Sequence, residues 1–231
     1  MWDDQWDFFR DAYKVVRFDS RGHGQSSDPS GPWSNFGDVK SLLDHLGLDR
    51  PHLVGLSSGG GAALDFAVIY PEATCSLTLI DSAVGGYPDW SAEMRELFRL
   101  LQDTAKTQGV DATRELWLNG ELFAPALERP ELAFRVRRII GDYRGWHWLN
   151  ESEEFGPDPM PYHRLDEVKL PTLVIVGERD GLDTRNMADV LAGGIRGARK
   201  EVIAGAGHLS NMEAPDSVNR LIADFLDAQE K

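Results

Sequence analysis

The sequence predicts an α/β fold, with a mostly parallel sheet flanked by helices and an inserted helical cap. Short apolar runs alternate with helical stretches along most of the 231 residues, as in parallel sheets covered on both faces. One run leads into Gly55-Leu56-Ser57-Ser58-Gly59, a glycine-rich turn that opens a small-residue helix. Residues 85–166 differ, with long helical stretches and most of the tryptophans.

The N-terminal third predicts alternating helices and strands. Residues 14–19 are rich in β-branched and aromatic side chains, which favours a strand. Phe36, Val39 and Leu43 recur at helical spacing, and Gly47 is a typical helix end. The expected order is helix 2–12, strand 14–19, loop 20–32, helix 36–46, a strand into Ser57, helix 62–69 and strand 76–81.

The remainder predicts a cap followed by a return to the core. Helices are expected over 93–101 and 132–140, and a proline-rich exit follows at 156–161. Alternation then resumes with strand 172–176, a helix through 186–191, strand 201–203 and an amphipathic last helix. We therefore expect a core formed by residues 1–84 and 167–231, with residues 85–166 as the cap.

Composition excludes several classes of partner. The net charge of −14 argues against binding to nucleic acid and to anionic membranes. The single cysteine, Cys75, allows no internal disulfide. The N-terminus does not look like a signal peptide, and no apolar run approaches the ~20 residues of a membrane span. These features favour a cytoplasmic location.

The turn at Ser57 matches the G-x-S-x-G pattern of a nucleophile elbow, between a strand and a helix. Glycines two residues before and after Ser57 allow strand and helix to approach closely. The helix N-terminus then points to the hydroxyl, and the backbone N–H of Ser58 is a candidate oxyanion donor. The alternative is a glycine-rich turn with an incidental serine.

Two loops at predicted strand ends offer an acid and a base. Asp180 follows the strand at 172–176, and His208 follows the last strand. The order Ser57, Asp180, His208 matches nucleophile, acid and base for this architecture. Asp180 as a helix cap and His208 as an ordinary loop histidine are the alternatives. Asp81, also at a strand end, is the second candidate for the acid.

The other histidines are weaker candidates for the base, because they lie in loops, helices or the predicted cap: His23, His45, His52, His147 and His163. No spacing of His, Cys, Asp and Glu suggests a metal site. There is no phosphate-binding loop and no dinucleotide fingerprint.

The chain resembles the α/β-hydrolase superfamily, in the branch of small bacterial esterases and enol-lactonases. The resemblance is carried by residues 18–26 (Phe-Asp-Ser-Arg-Gly-His-Gly-Gln-Ser), 55–60, 170–180 and 205–208 (Gly-Ala-Gly-His). It implies Ser57 as nucleophile, Asp180 as acid, His208 as base and no cofactor. It also implies a mainly structural role for Arg21 and His23.

The implied activity is hydrolysis of a small ester or lactone through an acyl-enzyme. Carbon–carbon bond hydrolases, amidases and cofactor-free perhydrolases share the framework, and a non-catalytic relative is the alternative from another class. A serine nucleophile argues against dehalogenases and epoxide hydrolases. Trp146 and Trp148 are candidate substrate contacts in the cap, with a place in the cap's own core as the alternative.

The sequence departs from the family at its start. In the family, a strand ending in His-Gly precedes the helix that begins at Met1 here, and its loop supplies a second oxyanion N–H. The strand that this sequence lacks normally lies between strand 14–19 and the strand into Ser57. We therefore expect either a fragment of a longer product or direct pairing of those two strands, with a weakened oxyanion hole.

Overall fold

Four parallel strands form one sheet in the order β1-β2-β3-β4 in the computed structural model, which describes residues 1–229. The strands are β1 His52–Leu56, β2 Ser76–Ile80, β3 Thr172–Gly177 and β4 Arg199–Ile203. Their register pairs Leu53 with Leu77, Thr78 with Leu173, and Val174 with Lys200. Because all four strands are parallel, their carboxyl ends meet at one edge of the sheet. The predicted α/β fold class is confirmed.

Helices cover both faces of this sheet. They are α1 Asp3–Phe9, α2 Asn35–Leu46, α3 Ser58–Ile69, α4 Ala92–Gln108, α5 Val110–Leu118, α6 Ala124–Leu127, α7 Pro130–Asp142, α8 Trp146–Leu149, α9 Leu182–Gly194, α10 Ser210–Glu213 and α11 Pro215–Asp227. In residues 1–229, no helix is long and apolar enough to cross a membrane.

The core lies on the two faces of β2 and β3, whose residues are all buried. Leu173 and Ile175 pack on one face with Ile222 of α11. Val174 packs on the other face with Leu191 of α9. This alternation follows from the two-residue period of a strand, and it explains why both strands are apolar throughout.

The prediction of a strand at residues 14–19 is wrong. The segment pairs with no strand in the described chain, and all of its residues except Val15 are exposed. High β-propensity forms a strand only where a neighbouring strand completes the ladder, and β1 does not pair with this segment. Direct pairing of residues 14–19 with β1 is therefore also wrong. Arg17 instead contacts Asp3 and lies over the ring of Trp6.

Residues 85–166, all within the described chain, contribute no strand to the sheet and hold α4 to α8. The two predicted helices 93–101 and 132–140 lie within α4 and α7. An isolated β-bridge between Trp33 and Glu154 joins this segment to the stretch just before α2. The division of the chain into a core and a cap stays a prediction.

Candidate active site

Ser57 occupies the turn between β1 and α3, in a strained backbone conformation with φ 53° and ψ −120°. The turn is fixed to the end of β2, since Ser57 N donates to Ile80 O at 3.0 Å and Ala83 N donates to Ser57 O at 3.0 Å. A non-glycine residue at positive φ costs about 1–3 kcal/mol, so such a conformation persists only where its surroundings enforce it. Ser57 is partly exposed and Ser58 is exposed, so a small molecule has access to this turn.

The glycines of the turn are required by close packing. A Cβ at Gly55 would lie 2.2 Å from the carbonyl oxygen of Gly59, and one at Gly60 would lie 2.3 Å from Ser82 Oγ. Only glycine allows the strand and the helix to approach so closely at these positions. At Gly59 a Cβ would meet nothing within 4 Å. Close packing therefore requires glycine at positions 55 and 60 but not at position 59.

This difference predicts opposite effects of two alanine substitutions. Gly55→Ala should lower the free energy of unfolding by about 1–3 kcal/mol, because backbone atoms cannot move aside cheaply. Gly59→Ala, in the first turn of α3, should leave stability unchanged or raise it by up to about 1 kcal/mol. Urea unfolding of both variants measures the difference, and equal stabilities would contradict the close approach at Gly55.

The three residues predicted as nucleophile, acid and base are brought together. His208 Nε2 lies 2.9 Å from Ser57 Oγ, and His208 Nδ1 lies 3.0 and 2.9 Å from the two carboxylate oxygens of Asp180. They follow the carboxyl ends of β4, β1 and β3, where loops of a parallel sheet converge. His208 and Asp180 are buried. With Nδ1–H donating to Asp180, Nε2 is free to accept the Ser57 proton.

Burial and three neighbouring carboxylates act in opposite directions on the pKa of His208. Burial, the largest single influence, lowers the pKa of His208, but the hydrogen bond and charge of Asp180 outweigh it together with the charges of Asp81 and Glu213. The net effect raises the pKa above its ordinary value. The surroundings therefore favour the positive imidazolium. A catalytic base needs this, because it becomes positive when it takes a proton.

Asp81, the second candidate for the acid, has a different place. It is fully buried at the end of β2, and its φ is 45°. Oδ1 accepts from Gly177 N at 2.8 Å, and Oδ2 accepts from Ser210 N at 3.1 Å and Ser210 Oγ at 2.7 Å. Within the described chain, no hydrogen bond joins Asp81 to His208. Asp81 therefore links the ends of β2 and β3 to the loop that carries His208.

Glu213 was not singled out from the sequence, yet it lies at the centre of the His208 loop. Its two carboxylate oxygens accept from Gly207 N at 2.9 Å and from Leu209 N at 3.1 Å, on either side of His208. The side chain is buried. The sequence feature that could have indicated Glu213 is its position, five residues after His208 and two before Pro215, which begins a helix.

Two neighbouring residues of the predicted cap contact the loops of Asp180 and His208. Glu128 forms a bidentate ion pair with Arg179, at 2.7 and 2.8 Å. Arg129 donates to the carbonyl oxygens of Glu213 and Gly205. The segment between α6 and α7 thus touches both loops, although an exposed ion pair adds little stability by itself.

The candidate substrate residues, Trp146 and Trp148, make their ring contacts within the predicted cap. Trp146 packs edge-on against His147, with ring centroids 4.9 Å apart, and Trp148 packs against Tyr143 at 4.8 Å. In the described chain, no ring contact or hydrogen bond links either tryptophan to Ser57, Asp180 or His208. Their role as substrate contacts stays a prediction.

The same stretch of the predicted cap holds the loop at residues 20–28. His23 stacks against both Tyr143 and His147, with centroid distances of 4.8 Å to each ring. Arg144 donates to the carbonyl oxygens of Gly24 and Ser26. These contacts tie the loop to α8 and to the residues just before it.

Arg21 links this loop to α2, and His147 presents a neutral ring to it. Arg21 forms a bidentate pair with Asp38 of α2, at 2.6 and 2.7 Å. Burial, with the nearby His23, lowers the pKa of His147 to about 4, so its ring is neutral at pH 7. The contacts of Arg21 and His23 fit the mainly structural role implied for these residues.

A hydroxyl, an imidazole and a carboxylate in hydrogen-bonded order form an activated nucleophile with its base and orienting acid. The first turn of α3 adds backbone N–H groups that have no partner within the helix, among them that of Ser58. In residues 1–229, no group of three or more His, Cys, Asp or Glu side chains could hold a metal ion. The fold and this site together define an α/β hydrolase.

The chain belongs to the alpha/beta hydrolase family, whose model matches residues 1–221. The chain is 30% identical over 228 residues to a 2-hydroxy-6-oxononadienedioate/2-hydroxy-6-oxononatrienedioate hydrolase of Paraburkholderia phymatum, covering 95% of this chain and 78% of that protein.

Two solved structures are also similar. The enol-lactonase of Burkholderia xenovorans LB400 is 28% identical with a TM-score of 0.80, covering 98% of this chain and 85% of that one. A thermophilic esterase of Thermogutta terrifontis is 28% identical with a TM-score of 0.82, covering 100% and 85%. The resemblance to the esterase and enol-lactonase branch is confirmed.

Proposed function

We propose that this protein is a serine hydrolase that cleaves a small carboxylic ester or lactone through an acyl-enzyme. The observation that carries the proposal is the continuous hydrogen-bonded series Ser57 Oγ, His208 and Asp180 at distances of 2.9–3.0 Å. The similarity to an enol-lactonase and an esterase supports the class of substrate. The charge of −14 fits a small-molecule substrate better than nucleic acid or an anionic membrane.

Each residue has a defined step in this mechanism. His208 Nε2 takes the proton of Ser57 Oγ as the oxygen attacks the substrate carbonyl carbon. Asp180 keeps the proton of His208 on Nδ1 and stabilises the imidazolium. The Ser58 N–H donates to the oxyanion at the positive end of α3. His208 returns the proton to the leaving alcohol, and water then cleaves the acyl-enzyme with the same base.

A second candidate is hydrolysis of a carbon–carbon bond next to a ketone. It is favoured by the similarity to the 2-hydroxy-6-oxononadienedioate hydrolase of Paraburkholderia phymatum. The chemistry differs in the leaving group, since a carbon atom rather than an alkoxide oxygen must receive the proton. The same serine, base and acid serve both reactions, so the substrate decides between them.

Labelling with a fluorophosphonate probe, followed by a substrate panel, tests the proposal. The probe should label Ser57, identified by peptide mass spectrometry, because labelling requires an activated serine. The panel contains p-nitrophenyl esters, enol-lactones and vinylogous 1,5-diketones. Faster turnover of diketones than of the other two classes would favour the second candidate. Absence of labelling in a folded preparation would make the protein a non-catalytic relative and overturn the proposal.

We also propose that residues 85–166 form a cap that sets substrate choice. Trp146→Ala and Trp148→Ala should then change the preferred acyl chain length more than they change turnover of acetate esters, because aromatic side chains supply large apolar contact areas. Trp6→Ala, on α1 against Arg17, is the matched control and should leave selectivity unchanged. Unchanged selectivity in folded Trp146 and Trp148 variants would contradict the proposal.

A further inference from the structure

We propose that Asp81 and Glu213 are positioning residues that hold the His208 loop rigid and, as carboxylates, stabilise the imidazolium formed when His208 takes the Ser57 proton. The inference rests on the proposed function. The proton moves only from Ser57 Oγ to His208 Nε2 and back to the leaving group, and neither carboxylate accepts it.

Asp81 is held in place by hydrogen bonds to both of its oxygens. Both of its oxygens accept hydrogen bonds, from Gly177 N, Ser210 N and Ser210 Oγ, at 2.7–3.1 Å. Gly177 N and Ser210 N can only donate, so each Asp81 oxygen accepts at least one hydrogen bond from the backbone. Burial, with the charge of Asp180, raises the pKa of Asp81 to about 7, while the charge of His208 and the hydrogen bonds from Ser210 Oγ and Gly177 N favour the carboxylate. With φ at 45°, Asp81 joins the end of β3 to the start of α10.

Glu213 holds the backbone on both sides of His208. It binds the backbone N–H groups of the residues immediately before and after His208, at 2.9 and 3.1 Å. Arg129 donates to the backbone oxygen of Glu213 and fixes the short helix α10 that carries it. The loop from residue 207 to residue 210 is thus held through three backbone N–H groups by two buried carboxylates.

The arrangement acts on the imidazole in two ways. Fixed backbone contacts keep Nε2 within hydrogen-bond reach of Ser57 Oγ, since small displacements of a base reduce catalysis strongly. The charged groups that act on His208 are Asp180, Asp81 and Glu213, and each of them favours its positive form. Because the site is buried, these charges are poorly screened by solvent. Arg129 and Glu128, in the predicted cap, contact the same loops through Glu213 O and Arg179.

NMR titration of the His208 imidazole tests the inference without any substrate. Asp81→Asn and Glu213→Gln remove one charge each with little change of shape, and each should lower the imidazolium pKa by about 1 pH unit. Asp183→Asn is the matched control. Asp183 is an equally buried carboxylate that accepts from Ser91 N and Ser91 Oγ, and it does not act on His208. It should leave the His208 pKa unchanged.

The rate of Ser57 labelling by the fluorophosphonate gives a second readout. Labelling needs neutral His208, so the acid limb of its pH profile should move to lower pH in both charge variants, with a lower plateau. Ser210→Ala removes one hydrogen-bond donor of Asp81 without replacing the carboxyl group. It should slow labelling severalfold, and it remains informative if Asp81→Asn fails to fold.

Two results separate this inference from the proposed function. A His208 pKa in folded Asp81→Asn and Glu213→Gln that equals that of the parent would overturn the inference, even if Ser57 is fully reactive. A plateau labelling rate equal to that of the parent in the charge variants and in Ser210→Ala would overturn the positioning role. Failure of the parent to label would instead overturn the proposed function and leave the pKa comparison valid.

Discussion

Replacing Ser57 by alanine should reduce turnover of the best ester or lactone by about 10⁴–10⁶-fold, the loss typical when a nucleophile is removed from such a site. The hydroxyl oxygen is the only Ser57 atom within hydrogen-bond reach of His208, at 2.9 Å from Nε2. Without it, no acyl-enzyme forms, and only direct attack by water remains. Steady-state kinetics and loss of fluorophosphonate labelling measure the effect.

Folding of the Ser57→Ala variant is expected to be unaffected. Alanine carries the same cost at φ 53° as serine, and the two backbone hydrogen bonds that fix the turn remain. Ser41→Ala, which removes an exposed hydroxyl bonded to Gly37 O on α2, is the matched control and should retain full turnover. Turnover by Ser57→Ala within tenfold of the parent would refute the nucleophile assignment.

Most strands and the turn at Ser57 could be predicted because their signals are local. Strand β3 is apolar throughout since it is covered on both faces, and the glycine at position 55 follows from its close approach to Gly59, four residues away. The meeting of Ser57, Asp180 and His208 could also be predicted, because parallel strands bring their carboxyl ends to one edge.

Other features depend on partners that are distant along the chain. Residues 14–19 have the composition of a strand, but no strand of the described chain pairs with them. Asp81 and Glu213 look like ordinary carboxylates in the sequence. Their importance arises from contacts with Gly177, Ser210 and the His208 loop, some of them more than ninety positions away. Periodicity and motifs carry no signal for such contacts.

Asp180→Asn should reduce turnover by about 10⁴-fold with little loss of structure. The carboxylate of Asp180 lies 2.9–3.0 Å from His208 Nδ1 with both oxygens and also accepts from Gly181 N at 2.6 Å. An amide donor at this position favours the tautomer with its proton on Nε2, which cannot accept the Ser57 proton. Kinetics of the purified variant, together with thermal unfolding, measure both parts of the prediction.

Asp81→Asn distinguishes the two carboxylates at strand ends. Asp81 contacts the backbone of the His208 loop but not the imidazole, so its loss should slow turnover far less than the loss of Asp180. Asp183→Asn controls for a buried amide in place of a carboxylate and should leave turnover unchanged. If Asp81→Asn alone abolished turnover in a folded protein while Asp180→Asn retained it, Asp81 would be the orienting acid. The contact between Asp180 and His208 would then serve only to hold the loop.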